Sequence, residues 1–201
     1  LAHRGYVMVN GRVTLNADVF YDLWRNIQPA QFMASGLSYT ANAGNGRNLG
    51  SELELIVRPA NGLTVQGAAL FNRPELIHAN PGFITGVNLP GVPDVSLAGR
   101  VAYHWQATDG LAGLVSAETQ YVGRSHLTFN PSTSPSMGGY VLTRLSAQIE
   151  HDGWRLALFL SNPANARGNT FSYGNPFDYQ QAQEITPERP RTLRAVLSKT
   201  F

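Results

Sequence analysis

The chain has 201 residues, of which 14% are charged, and its formal net charge is +2. A typical soluble domain carries roughly 25% charged residues, yet no apolar run here reaches the roughly 20 residues that a membrane helix needs. The Lys and Arg residues are scattered, which argues against a nucleic-acid partner. The absence of Cys excludes disulfides, thiolate metal sites and a cysteine nucleophile.

Period-2 alternation of apolar and polar residues predicts roughly nine β-strands along the chain. Most of them are close to the length of about 9–11 residues with which a β-strand crosses a bilayer. The predicted strands cover residues 6–9, 12–24, 49–58, 63–72, 95–106, 114–122, 140–150, 154–161 and 190–201.

Two kinds of connection separate these strands. Tight turns are predicted at Asn10-Gly11, Asn61-Gly62, Asp109-Gly110 and Asp152-Gly153, dipeptides that favour type I′ hairpins with positive φ at both positions. Long irregular stretches rich in Gly, Pro, Asn and Ser are predicted over 27–48, 73–94, 124–138 and 162–190. Short periplasmic turns at one end and long extracellular loops at the other are typical of an outer-membrane β-barrel.

The last strand ends on Phe201, with an apolar face that also includes Leu193 and Leu197. A terminal aromatic residue on an alternating strand resembles the signal that the barrel-assembly machinery of bacteria recognises. Lys199 departs from that pattern, although a Lys near a strand end reaches the interface with its ammonium group. The resemblance implies that the assembly machinery is a partner of this strand.

Alternation alone leaves open which face of the strands is inside. A membrane barrel turns its apolar face outward to lipid, whereas a soluble ligand-binding β-barrel turns it inward. Long strands and unequal loops favour the membrane barrel. Its outward aromatic residues would then form a belt at each interface: Tyr103, Trp105, Trp154 and Phe201 near the short turns, and Tyr21, Phe71 and Tyr121 near the long loops.

Four stretches resemble the TonB-dependent outer-membrane receptors. They are NADVFYDLWRNIQ (16–28), NAGNGRNLGSELELIVRPANGLTV (42–65), NPANARGNTFSYGNPF (162–177) and ITPERPRTLRAVLSKTF (185–201). The family's barrel has 22 strands around an N-terminal plug. The resemblance implies an all-β, antiparallel transmembrane barrel segment, with residues 1–201 as its C-terminal portion and the plug and earlier strands absent.

By this resemblance, the intact protein lies in the cell outer membrane and takes up a bulky nutrient such as a ferric siderophore. Its partners would be outer-membrane lipid, an unknown small-molecule ligand and, only through the missing plug, TonB. The resemblance implies neither an enzyme nor a cofactor. Two alternatives stay open: a small self-contained outer-membrane barrel, and a soluble ligand-binding β-barrel.

Candidate site residues follow from the two faces and the loops. Glu52 and Glu54 share one strand face with Arg58, which favours lumen-facing charge over a general acid–base pair. No histidine spacing predicts a metal site. Loops on a rigid scaffold carry binding, so we expect ligand contacts, or packing between loops, at Arg73, His78, Asn80, Phe83, Arg124, His126, Phe171, Tyr173, Phe177 and Tyr179.

Overall fold

The computed structural model describes residues 2–9, 11–32, 37–107, 110–129, 136–172 and 185–200. These residues form β-strands joined by turns and loops. The strands in chain order are β1 (Ala2–Val9), β2 (Val13–Ile27), β3 (Ala30–Phe32), β4 (Ser38–Thr40), β5 (Gly44–Ala60), β6 (Leu63–Ala79), β7 (Val95–Gln106), β8 (Ala112–Val122), β9 (Ser125–His126), β10 (Ser136–Met137), β11 (Tyr140–His151), β12 (Trp154–Ser161), β13 (Asn169–Ser172), β14 (Ile185–Pro187) and β15 (Thr192–Lys199).

One antiparallel sheet organises the molecule. Its nine strands follow the order β1-β2-β5-β6-β7-β8-β11-β12-β15, so each long strand pairs with the next one along the chain. The all-β, antiparallel prediction with roughly nine strands is confirmed. Within the described residues the sheet is not closed, because β1 lies at one edge and β15 at the other. That part of the chain contains no helix long and apolar enough to span a membrane.

Strand bounds agree with the predictions where alternation is clear. β7 and β12 match the predicted 95–106 and 154–161. The prediction that 27–48 and 73–94 are irregular was wrong at residues 44–48 and 73–79, which extend β5 and β6 and pair with each other. The short strands β3, β4, β9, β10, β13 and β14 also lie within the four stretches that were predicted to be irregular. A ladder of backbone hydrogen bonds needs no apolar alternation, so the sequence GNGRN in β5 gave no strand signal.

The tight turns differ in geometry. Asp152 and Gly153 have φ of 48° and 74°, as a type I′ turn requires. The type I′ prediction at Asn61-Gly62 was wrong, because Gly62 alone has positive φ there. The register shifts between Val57 and Ala60, where β5 holds one residue more than β6. Such a bulge before a glycine in the left-handed region is an alternative way to close a hairpin.

Apolar side chains cover the outward face of the sheet. From β2 to β15 most of the exposed large hydrophobic residues alternate with polar ones, and between β5 and β12 the polar residues line the concave side. This is the arrangement of a membrane barrel and the reverse of a soluble barrel with an apolar interior. The outward set includes Leu15, Val19, Leu53, Leu55, Leu97, Val101, Val115, Val141, Leu145, Leu156, Leu158, Leu193 and Leu197.

The packed apolar core lies at the long-loop end instead of between two layers. Ala43, Leu76, Leu89 and Phe129 are buried together there. Partly buried residues from the same loops surround them: Ile27, Ala79, Phe83, Val87 and Val92. The loops at this end are therefore held against the sheet by hydrophobic burial.

Candidate functional site

Polar side chains of neighbouring strands line an open trough on the concave side of the sheet. The trough has a volume of about 830 Å³ and extends from β5 to β12. Side chains alternate across a strand, so the pattern that turns apolar residues outward brings the polar ones together. The ionisable groups that line it are balanced in charge, with three carboxylates and three guanidinium groups: Glu54, Glu118, Glu188, Arg100, Arg144 and Arg189.

One carboxylate of the trough is shared by two arginines. Arg100 Nε lies 3.3 Å from Glu118 Oε1, and Arg144 Nη1 lies 3.9 Å from Glu118 Oε2. All three side chains are substantially exposed, so these ion pairs contribute little stability. Because one carboxylate cannot accept from all the N–H donors of two guanidinium groups, some donors remain directed at the trough. A polar or anionic group in the trough could accept hydrogen bonds from them.

The Glu52 and Glu54 pair also lies on the polar face. Asn16 Nδ2 donates to Glu54 Oε2 over 3.1 Å, and Glu52 faces Asp18 in the strand register. These groups lie on an open strand face and contact neighbouring polar side chains. A general acid–base pair needs a cleft that encloses the substrate, and this face provides none. Within the described residues, no three His, Asp or Glu side chains are grouped as a metal site would require.

Asn162 fixes the connection from β12 to β15, which borders the trough. This buried side chain donates from Nδ2 to the carbonyl oxygens of Ala166 and Arg189, each over 2.9 Å. Its Oδ1 accepts the Ala166 N–H over 2.8 Å. Sequence reasoning assigned Asn162 no role. The available signal was an Asn at a strand end, since Asn tolerates the left-handed conformation that it adopts here, with φ of 50°.

Glu188 belongs to the same connection and lines the trough. Its Oε2 is buried and, among the described residues, has no hydrogen-bond partner. Burial raises the pKa of the Glu188 carboxyl above its ordinary value, because a carboxylate loses hydration there. The structure therefore favours the neutral form of this group more than water does.

Aromatic and apolar contacts join the loops of the long-loop end. Phe83 packs edge-to-face on Phe129, with ring centroids 5.8 Å apart and an interplanar angle of 87°. Phe83 was predicted as a ligand or packing residue, and in this structure it packs. Phe129 was missed, because its partner lies far away in sequence. A second, apolar cavity of about 480 Å³ adjoins Phe129 and is lined also by Trp24 and Leu89.

The other predicted loop residues occupy different surroundings. Asn80 Nδ2 donates to the Asn42 carbonyl over 3.0 Å, and the His126 carbonyl accepts the Gly91 N–H over 2.8 Å, so both residues connect loops. Arg73 lies on the outward face of β6, while His78 and Arg124 are exposed. Phe171 lies in β13, and Tyr173, Phe177 and Tyr179 lie outside the described residues. Ligand contact by any of them stays a prediction.

The predicted belt residues lie on the outward face where they are described. Near the short turns Tyr103 stacks on Trp105, with centroids 5.9 Å apart, and Lys199 Nζ lies 4.7 Å from the centre of the Trp154 ring. Near the long loops Tyr21 and Phe71 are exposed. Tyr121 is half-buried, and Phe201 lies outside the described residues. Their location at a membrane interface stays a prediction.

A sheet that is apolar outside and polar inside, with short turns at one end, defines the class of outer-membrane-type β-barrels. Residues 5–162 match the family model described as "TonB dependent receptor-like, beta-barrel". The chain belongs to this family, whose members are receptors and transporters rather than enzymes. The predicted family is confirmed.

Solved receptor structures share the fold. The ferric yersiniabactin uptake receptor FyuA from Yersinia pestis has a TM-score of 0.73 and 19% identity, over 96% of this chain and 28% of FyuA. The ferric preacinetobactin receptor BauA from Acinetobacter baumannii gives 0.68 and 16%, over 94% and 27%. The ferric-catecholate import receptor Fiu from Escherichia coli K12 gives 0.67 and 18%, over 94% and 25%.

These likenesses establish the fold, and the chain spans just over a quarter of FyuA and BauA. No curated protein sequence matches the chain significantly.

Proposed function

We propose that this chain is the C-terminal portion of a TonB-dependent receptor barrel in the cell outer membrane. The observation that carries the proposal is the family match over residues 5–162, on strands whose apolar side chains face outward. The open sheet supports it as well, because backbone groups at the edges of β1 and β15 need partner strands in lipid. The earlier strands of the barrel would supply them.

The intact protein would import a bulky nutrient such as a ferric siderophore. FyuA is described as an uptake receptor for ferric yersiniabactin, BauA as a receptor for ferric preacinetobactin and Fiu as an import receptor for ferric catecholates. The balanced, hydrogen-bonding wall of the trough suits passage of a polar solute. Ligand contacts belong to the long-loop end, at the described His78, Asn80, Phe83, Arg124 and His126 and at the aromatic residues of the last loop. TonB would act through the plug, and the assembly machinery would recognise the strand that ends at Phe201.

The test is uptake by the full gene product in cells that lack their own siderophore receptors. A panel of radiolabelled ferric siderophores is offered to cells with and without TonB. We expect accumulation of at least one of them, with a strict requirement for TonB. Passage of small solutes that is independent of TonB, with no accumulation from the panel, would support a small self-contained barrel and overturn the proposal.

A further inference from the structure

A charged group lies on the outward face of the sheet, where the neighbouring side chains are apolar. In the strand register, Tyr21, Leu49 and Arg73 form one row across β2, β5 and β6. The next row toward the long loops consists of Leu23, Arg47 and Glu75. Each of these positions has the parity of the exposed hydrophobic residues, so the two arginines point away from the trough.

Glu75 holds the two arginines side by side. Its Oε1 accepts hydrogen bonds from Arg47, with a distance of 2.7 Å to Nε, and Arg73 Nε lies 3.5 Å from its Oε2. The Glu75 side chain is 12% exposed, whereas that of Arg73 is 75% exposed. Glu75 is therefore the packed centre of the group, and the guanidinium groups lie on its solvent side.

The charges of this group do not cancel. Two guanidinium groups and one carboxylate leave a net charge of +1. Glu75 engages Arg73 through Nε, and within the described residues the two Nη groups of Arg73 make no other hydrogen bond. A planar guanidinium group with free Nη donors matches a phosphate, which accepts two parallel hydrogen bonds.

We propose that Arg47 and Arg73 bind an anionic phosphate monoester on the headgroup of a lipid in the outer leaflet, and not a phosphate diester whose charge the headgroup itself neutralises. The apolar side chains beside them identify the ligand as an amphiphile. Leu49 and Leu23 flank the arginines on the same face and are exposed, and Phe71 and Leu53 continue that face toward the middle of the sheet. An anion held by the arginines would therefore have its attached acyl chains against apolar side chains.

This inference rests on the proposed function in one respect, which is that the long-loop end is the extracellular side. It involves a surface separate from the trough, since Arg73 and the trough residues lie on opposite faces of the sheet. The two proposals therefore fail separately. If the wild type showed no TonB-dependent uptake, the proposal of lipid binding would not be contradicted. If it bound no lipid, the proposal of uptake would not be contradicted.

The test measures the thermal unfolding midpoint of the full gene product in detergent. The probe is bis-phosphorylated lipid A added to the micelles, with zwitterionic phosphatidylcholine as the lipid control. The main variant is Arg73→Gln, which leaves the Arg47–Glu75 pair in place and so preserves folding. The matched control is Arg155→Gln, which removes an arginine that pairs with Glu150 over 3.1 Å on the inward face.

We expect lipid A to raise the midpoint of the wild type and of Arg155→Gln, and phosphatidylcholine to have no comparable effect. Arg73→Gln should lose about half of that shift or more, since one of two phosphate donors is gone. Added salt should shrink the shift in the wild type, because the group is exposed. An equal shift in all three proteins, or no shift in the wild type, would overturn the proposal.

Discussion

The side chain of Asn162 joins the end of β12 to two later positions of the connection between β12 and β15. Its amide and carbonyl oxygen make hydrogen bonds to the backbones of Ala166 and Arg189 from a buried position. Replacing it with Ala would leave those backbone groups without partners inside the protein. Water can reach the backbone of the half-buried Ala166 and the exposed Arg189, so each lost hydrogen bond costs about 0.5–1.5 kcal/mol. The segment that borders the trough would consequently detach from the end of β12 more often.

We expect Asn162→Ala to increase the mobility of this connection without unfolding the barrel. Residues 1–201 contain no Cys, so once any Cys elsewhere in the full gene product is replaced by Ser, an introduced Ile185→Cys carries a nitroxide label at one place. Asn165→Ala is the matched control, because Asn165 also has positive φ but, among the described residues, its side chain makes a single hydrogen bond, accepting the Arg191 N–H over 3.1 Å. Equal mobility of the label in the two variants would show that the Asn162 hydrogen bonds do not hold the connection.

The pH dependence of the same connection follows from Glu188. Because burial raises its pKa, the folded state binds this proton more tightly than the unfolded state does. The contribution to stability is therefore complete below the ordinary pKa of a glutamate. It is lost as the pH rises through the raised pKa, when the carboxylate becomes charged in a poorly hydrated position.

We expect the nitroxide on Ile185→Cys to be more mobile at about pH 8 than at about pH 4. Glu188→Gln should abolish that difference and keep the label immobile at both values. Gln is nearly isosteric with Glu and is always neutral, so this substitution mimics a Glu188 carboxyl that stays protonated at every pH. A pH dependence that survives Glu188→Gln would assign the effect to another group.

Within the strands, two glycines test how the outward face is packed. The Trp105 ring covers Gly113 so closely that a Cβ built on this glycine would lie 2.1 Å from the ring atom Cζ2. A Cβ on Gly67 would meet nothing within 4 Å. Both glycines lie inside long strands and neither has positive φ. The two sites therefore differ in packing and not in backbone strain.

Gly113→Ala should force Trp105 off its position and destabilise the barrel by about 1–3 kcal/mol, as overpacking does. Gly67→Ala should be neutral or slightly stabilising, because Ala restricts the unfolded chain more than Gly does. Both effects on stability are measured as the thermal unfolding midpoint of the corresponding variant of the full gene product in detergent. If the two variants were to shift the midpoint alike, strand propensity would outweigh the contact with Trp105.

Strands were predictable from sequence where lipid imposes a pattern on them. The alternation of Trp154, Leu156, Leu158 and Leu160 identified β12 with its true bounds. At the long-loop end, β5 and β6 still pair with each other through residues that include Gly44 and His78. The sequence there does not alternate between apolar and polar residues. Backbone pairing there is decided by the partner strand, which a local pattern does not contain.

The candidate site was predictable in its polarity and less so in its contacts. Glu54 was placed on the polar face by counting residues in twos, and the structure gathers it with Arg100 and Arg144 around one trough. Glu118 lies on β8, opposite Arg100 of β7 and Arg144 of β11, so its contacts with both arginines depend on the register of three strands. The Phe83–Phe129 contact joins two loops across many residues. Such pairings are set by tertiary packing, so sequence reasoning did not find them.

At the scale of the whole molecule, the inside-out distribution of polarity decides where this chain is stable. Exposed leucines and valines on one face cost free energy in water and little in lipid. Leu145 lies in the outward row of β11, and Leu142 in the same strand lines the trough. The two leucines share a residue type and a strand, and differ in the side of the sheet that they face.

Leu145→Arg should therefore impair membrane insertion, whereas Leu142→Arg should be tolerated. An arginine on the lipid face near the bilayer midplane costs about 2–4 kcal/mol, and a lumen-facing one meets water and the polar wall. The measurement is the fraction of heat-modifiable, folded protein in the outer-membrane fraction of cells that express the full gene product. Equal folded fractions for the two variants would mean that the apolar face of this sheet does not contact lipid, and a lower fraction for Leu142→Arg than for Leu145→Arg would reverse the assignment of its two faces.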